Sequence, residues 1–208
     1  MKVSSIVSSL TIGFLSASAH GAVVFDGTNS LISSNGITSV SSNGQAMGFV
    51  MPADSNYSLT SIELSLGGIA DEGVEAPSIT VWSNDTVSPS TPVGTLLTTL
   101  TLSGTFADGV NTFTSSGFTL DAGATYWLVI RNTGDNFTYR VGMGVAASGT
   151  SPGRVHSDTA TDVDPSTWDA KTPKGHIGVK INASAVPEPS TAGLGLLACL
   201  AFLRRKRI

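Results

Sequence analysis

Cysteine is nearly absent from this chain. The single Cys199 lies in an apolar stretch near the C-terminal end, so no disulfide can form within the body and stability must come from a packed core. Histidine is scarce too. Of three, His20 lies near the N-terminal end, and His156 and His176 show neither a His-x-x-x-His spacing nor a neighbouring Cys, so a zinc site built on them would need ligands from elsewhere. Only 12% of residues are charged. No Gly-x-Ser-x-Gly elbow and no phosphate loop is present. No internal repeat is visible, and Thr95, Thr98, Thr99 and Thr101 are too irregular for the flat threonine array of an ice-binding face.

Basic residues are the scarcer sign, and their placement matters. Of eleven Lys and Arg, Lys2 and the four at 204–207 fall in the two end segments, leaving six; of fifteen acids, only Glu188 does, leaving fourteen. Six against fourteen gives the body a net charge near −8, which argues against nucleic acid as a partner, since phosphate binding needs clustered Lys and Arg.

What the body does have is short apolar-periodic runs separated by Gly, Asn, Asp, Ser and Pro, the spacing of an all-β domain. Ile62, Leu64 and Leu66 alternate with Ser61, Glu63 and Ser65, one face for a core and one for water. Ile79 and Val81 continue the pattern, and Leu96, Leu100 and Leu102 sit among threonines that favour strand over helix. Phe113, Phe118 and Leu120 predict shorter strands around a Ser115-Ser116-Gly117 turn. Residues 126–130 are apolar on both faces, which places them centrally in a sheet with Trp127 in the core. Phe137, Tyr139, Val141, Met143 and Val145 share one face, and the glycines at 142 and 144 leave room on the other. Ile177, Val179 and Ile181 predict a closing strand. No amphipathic helix is legible in the body. The expectation is an antiparallel β-sandwich, jelly-roll-like, over residues 20–185.

Both ends read as handling signals. Lys2, a modest apolar run at 6–15 and the small residues Ala17-Ser18-Ala19 predict a signal peptide cut after Ala19, with Gly21 or Ala22 as alternative sites. At the other end, Val186-Pro187-Glu188-Pro189-Ser190 stops any helix, because proline has a fixed φ and no N–H. Residues 191–203 then carry no charge and are followed by Arg204-Arg205-Lys206-Arg207. That apolar run is short of the roughly 20 residues that span a bilayer comfortably, and the basic cluster should stay cytoplasmic. The three parts in this order resemble the PEP-CTERM sorting signal, carried by otherwise unrelated bodies that include some ice-binding proteins. The resemblance implies recognition and removal of the tail by an exosortase, a membrane protease-transpeptidase. The alternative is an ordinary tail anchor.

The body carries a second resemblance. Tyr57-Ser58-Leu59-Thr60-Ser61-Ile62-Glu63-Leu64, then Val81-Trp82-Ser83-Asn84-Asp85, then Thr125-Tyr126-Trp127-Leu128-Val129-Ile130, look like the choice-of-anchor β-sandwich domains of bacterial surface proteins. Here Val81-Trp82-Ser83-Asn84 replaces a usual leucine-tyrosine-serine-aspartate strand end. That family implies no catalytic residues.

Candidate binding residues are few. Trp82 falls on the opposite strand face from Ile79 and Val81, and Trp168 sits near an acidic loop; either could stack on a pyranose ring, or cover a sheet edge or sandwich end. Asp158, Asp162 and Asp164 could gather oxygens around a structural Ca²⁺, though a solvated loop needs no metal and the spacing fails the EF-hand pattern. The sequence marks no facing pair of carboxylates for glycoside hydrolysis.

The expectation is therefore a non-catalytic surface or extracellular-matrix protein, exported through signal peptidase, held transiently at the inner membrane and released by an exosortase. No cofactor beyond the calcium candidate is expected. The competing expectation is a carbohydrate-binding module that contacts exopolysaccharide.

Overall fold

The computed structural model describes residues 21–27, 37–40, 44–67, 75–85, 93–131, 139–144, 149–152, 154–156 and 176–187, all within one compact unit, His20–Glu188. They form thirteen strands and, among the described residues, no helix: β1 (Gly21–Asp26), β2 (Ile37–Val40), β3 (Gln45–Val50), β4 (Tyr57–Gly67), β5 (Ser78–Asn84), β6 (Val93–Ser103), β7 (Gly109–Thr114), β8 (Thr119–Leu120), β9 (Thr125–Arg131), β10 (Tyr139–Gly144), β11 (Arg154–His156), β12 (His176–Ile177) and β13 (Val179–Ala185). The all-β, antiparallel expectation holds throughout.

The strands make one continuous sheet, in the order β1-β13-β4-β7-β6-β5-β9-β3-β11. Continuity comes from β6, which serves both halves. Its residues 101–103 pair with β7, and its earlier residues, 93–100, pair with β5. At the opposite seam, the Val50 N–H donates to the Thr150 carbonyl at 2.9 Å, and Gly149 lies against β1 so closely that a Cβ there would meet the Val24 carbonyl at 2.8 Å. Gly149 has φ +87°, which a side chain disfavours. Residues 149–150 thus bridge β3 and β1, and the sheet is nearly closed into a barrel.

Its interior is the main core. Leu59, Ile62, Leu64 and Leu66 of β4 meet Val179, Ile181 and Ala183 of β13, with Phe113 of β7; facing them are Met47 and Phe49 of β3, Ile79 and Val81 of β5, and Leu128 and Ile130 of β9. Burying each large apolar side chain contributes roughly 1.5–3 kcal/mol. Strand alternation alone does not explain this set. Leu59 and Ile62 both point inward although three positions apart, because a bulge at Thr60 inserts one residue opposite the Asn182–Ala183 step. Its hydroxyl donates to the Asn182 carbonyl at 2.8 Å. A second bulge, in β6, aligns Leu96 with Trp82 and Thr98 with Val81. Leu96 therefore points outward, 51% exposed, and Leu97 takes the inward place in the core.

The outer face of β4 and β13 is polar. Lys180 Nζ and Glu63 Oε1 lie 3.3 Å apart, and Asn182 Nδ2 donates to the same oxygen at 2.9 Å. At this exposure such a pair adds little stability.

Candidate functional site

At one end of the sheet, β1, β4 and β9 begin and β5 and β13 finish: Gly21 stands opposite Ser184, Tyr57 opposite Ala185, and Ser83 opposite Tyr126. Backbone bonds pin the loops there. Ser115 Oγ accepts from the N–H groups of Gly117 and Phe118 at 3.3 Å each, a local turn that Gly117 completes with φ +94°. The Phe118 carbonyl then accepts from Leu59 N–H at 2.8 Å. The Asp121–Ala124 turn is held from the other side. Its Ala122 N–H donates to Asn56 Oδ1 at 2.9 Å, Gly123 N–H to the Pro52 carbonyl at 3.0 Å, and the Ala124 carbonyl accepts from Met51 N–H at 2.9 Å.

Between this turn and the strand pair β5–β6 opens a cleft of about 480 Å³. Leu97, Phe118 and Tyr126 give it an apolar floor, and Ser83, Thr119, Asp121 and Thr125 give it a polar margin. The Phe118 and Tyr126 rings stand at 88° with centroids 6.5 Å apart, an edge-to-face arrangement. The Tyr126 hydroxyl oxygen accepts the Asp121 N–H at 2.8 Å. Burial is the main cause that raises the Tyr126 pKa above its ordinary value; the backbone N–H works against it and the Asp121 carboxylate adds to it. Asp121 is the one charged side chain among the described residues lining the cleft. The two-carboxylate mechanism of sugar hydrolysis would need a facing pair.

Trp82 lies outside this cleft, on the outer face of β5 as expected, and is half-buried. Its Nε1–H donates to Thr80 Oγ1 at 2.9 Å, two residues back on the same face. Trp82 and Trp127 are cross-strand partners. Trp127 is buried as expected, yet not in the main core: it belongs to a second, outer-face cluster with Ala46, Val93 and Val129, against which Trp82 packs. Its Nε1–H donates to Asn84 Oδ1 at 2.9 Å.

Trp168, Asp158, Asp162 and Asp164 lie outside the described residues, as do Glu188, Pro189, Ser190 and Arg204, Arg205, Lys206 and Arg207. Among the described residues no group of three His, Cys, Asp or Glu side chains could hold a metal ion, and no helix is long and apolar enough to cross a membrane. Val186 and Pro187 are described and exposed, and the Val186 N–H donates to the Asn56 carbonyl at 2.8 Å. Compared with known protein families and with curated proteins, the chain matches none.

Alternation predicts Phe118 on a short strand and Tyr126 in a central one and marks neither as part of a site. Tyr126 lies on β9, whereas Phe118 lies just before the two-residue β8. Their spacing carries no cleft signal. The cleft forms because Gly117 turns the chain back and because the turn at 121–124 docks on residues 51–56.

Proposed function

We propose that this chain is an exported, exosortase-sorted protein of the cell surface or extracellular matrix, with a non-catalytic body. The body is read as a jelly-roll-like sandwich of the choice-of-anchor kind, flanked by a signal peptide at 1–19 and a sorting tail at 186–208 that ends in a short membrane helix and basic cluster. The observation that carries the reading is the tail itself, Val-Pro-Glu-Pro-Ser followed by an uncharged run and Arg204-Arg205-Lys206-Arg207.

Two features of the body support it. Among the described residues strand pairing starts at Gly21, so a cut after Ala19 leaves β1 whole. Gly21 lies opposite Ser184, so the first residue of β1 and the end of β13 are neighbours, and among the described residues the Val186 N–H still bonds to the body immediately before the first proline of the tail.

The test is to express the full chain in a bacterium that carries an exosortase, beside the Pro187→Ala/Pro189→Ala variant. The readouts are the C-terminal mass and the cell fraction. The wild type is expected to lose residues 204–208 and leave the inner membrane, and the variant to keep them and stay. Retention of the basic cluster by both would make the tail a plain anchor and overturn the reading.

A second reading is a carbohydrate-binding body that contacts exopolysaccharide. The open cleft with an aromatic floor and hydroxyl-rich margin favours it.

A further inference from the structure

We infer that the cleft between Ser83 and Tyr126 is a binding site for neutral sugar rings, with Phe118 as the apolar platform and Asp121 as the principal acceptor of sugar hydroxyl protons. This rests on the carbohydrate-binding reading, and it moves the contact away from Trp82.

The lining chemistry selects the ligand class. A pyranose has an apolar C–H face and a ring of hydroxyls, each both donor and acceptor. The cleft offers the complement: carbon surface from Leu97, Phe118 and Tyr126, and the hydroxyls of Thr119 and Thr125, which also donate and accept. The Ser83 hydroxyl is engaged by Thr95, whose N–H it accepts at 2.9 Å. A carboxylate that accepts O–H donors makes short, charge-assisted bonds, about twice as strong as neutral ones. Asp121 is placed for that role. Its backbone is fixed through the bond to Tyr126, and its side chain is exposed on the margin. The volume falls within the roughly 300–1,000 Å³ of small-molecule sites.

The same residues exclude other ligands. With one carboxylate and no Lys or Arg among its described lining residues, the cleft repels phosphate, sulfate and uronic acids. Trp82 is the poorer platform, since it packs against the outer cluster and its indole N–H is already committed to Thr80.

The test uses the full chain in a zwitterionic detergent without a sugar head group. Calorimetric titration with cellotetraose, maltotetraose and trigalacturonate gives the affinities. At least one neutral tetrasaccharide is expected to bind in the millimolar range or tighter, and the acidic trisaccharide to fail. Asp121→Asn, which keeps the backbone bond to Tyr126, is expected to weaken binding roughly ten-fold at an unchanged melting temperature, the loss of one charge-assisted bond. Phe118→Ala is expected to abolish binding, but it also removes core packing, so Asp121→Asn decides. If Trp82→Ala abolishes binding while Asp121→Asn leaves it intact, the body binds sugar elsewhere and the cleft assignment is wrong. If neither neutral tetrasaccharide binds, the cleft assignment and the carbohydrate-binding reading fail together, whatever happens to the tail.

Discussion

Trp82 and Trp127 stand opposite each other across β5 and β9, on the same outer face, yet Trp127 is sealed at 2% exposure while Trp82 keeps part of its ring in water. Their hydrogen bonds therefore differ in consequence. The buried Trp127 indole donates to Asn84, a partly exposed residue of the cleft lining, whereas the half-buried Trp82 indole donates to Thr80.

Asn84→Ala is expected to lower unfolding stability by about 1–3 kcal/mol, because a buried indole N–H loses its partner. Thr80→Val should cost less than about 1 kcal/mol, since water can replace the hydroxyl at Trp82. Urea unfolding followed by tryptophan fluorescence compares the two. Equal losses would mean that the Trp127 edge is as accessible as that of Trp82.

The seam between β3 and β1 offers a second comparison. Gly104 and Gly149 both have positive φ, but a Cβ at Gly104 would meet nothing, whereas at Gly149 it would strike Val24 and Phe25 backbone and ring atoms. Gly104→Ala is expected to cost about 1–2 kcal/mol of conformational strain alone. Gly149→Ala adds the clash and should cost roughly 3 kcal/mol or more. Hydrogen exchange checks the location: the Val50 amide, bonded to Thr150, should lose protection in Gly149→Ala and keep it in Gly104→Ala.

Tyr126 makes stability depend on alkaline pH. Its folded pKa lies above the ordinary 10.0, first because of burial, so folding favours the protonated phenol. Between the ordinary and the raised value the unfolded chain has lost that proton while the folded chain keeps it, so the unfolding free energy falls as pH rises through that window. The contribution is fully present below pH 10 and lost above the folded pKa. Denaturant titrations from pH 8 to 11 should show a steeper decline for wild type than for Tyr126→Phe. That variant also starts less stable, because the Asp121 N–H loses its acceptor.

The strands most legible in the sequence were those whose alternation runs unbroken. Ile62, Leu64 and Leu66 point inward as read, as do Ile79 with Val81 and Val179 with Ile181. The two-faced apolar run of β9 correctly placed it between two neighbours, β5 and β3. β3 was the weaker signal: Met47 and Phe49 alternate with Ala46 and Gly48, but Ala and Gly give little contrast between faces. Gly48 is small for a reason invisible in sequence, since the Pro152 ring occupies the space its Cβ would need.

By itself, then, the sequence determined the strand class and the absence of a disulfide within the body, because these depend on cysteine count, local composition and period-two alternation. Tertiary structure decided what alternation leaves open. Bulges at Thr60 and Leu97 changed which residues face the core, and β6 joined two halves into one sheet. Two tryptophans of like sequence character received different burial. The cleft, too, arose only from contact between the turn at 121–124 and residues 51–56, which are far apart in the chain and whose pairing no local pattern encodes.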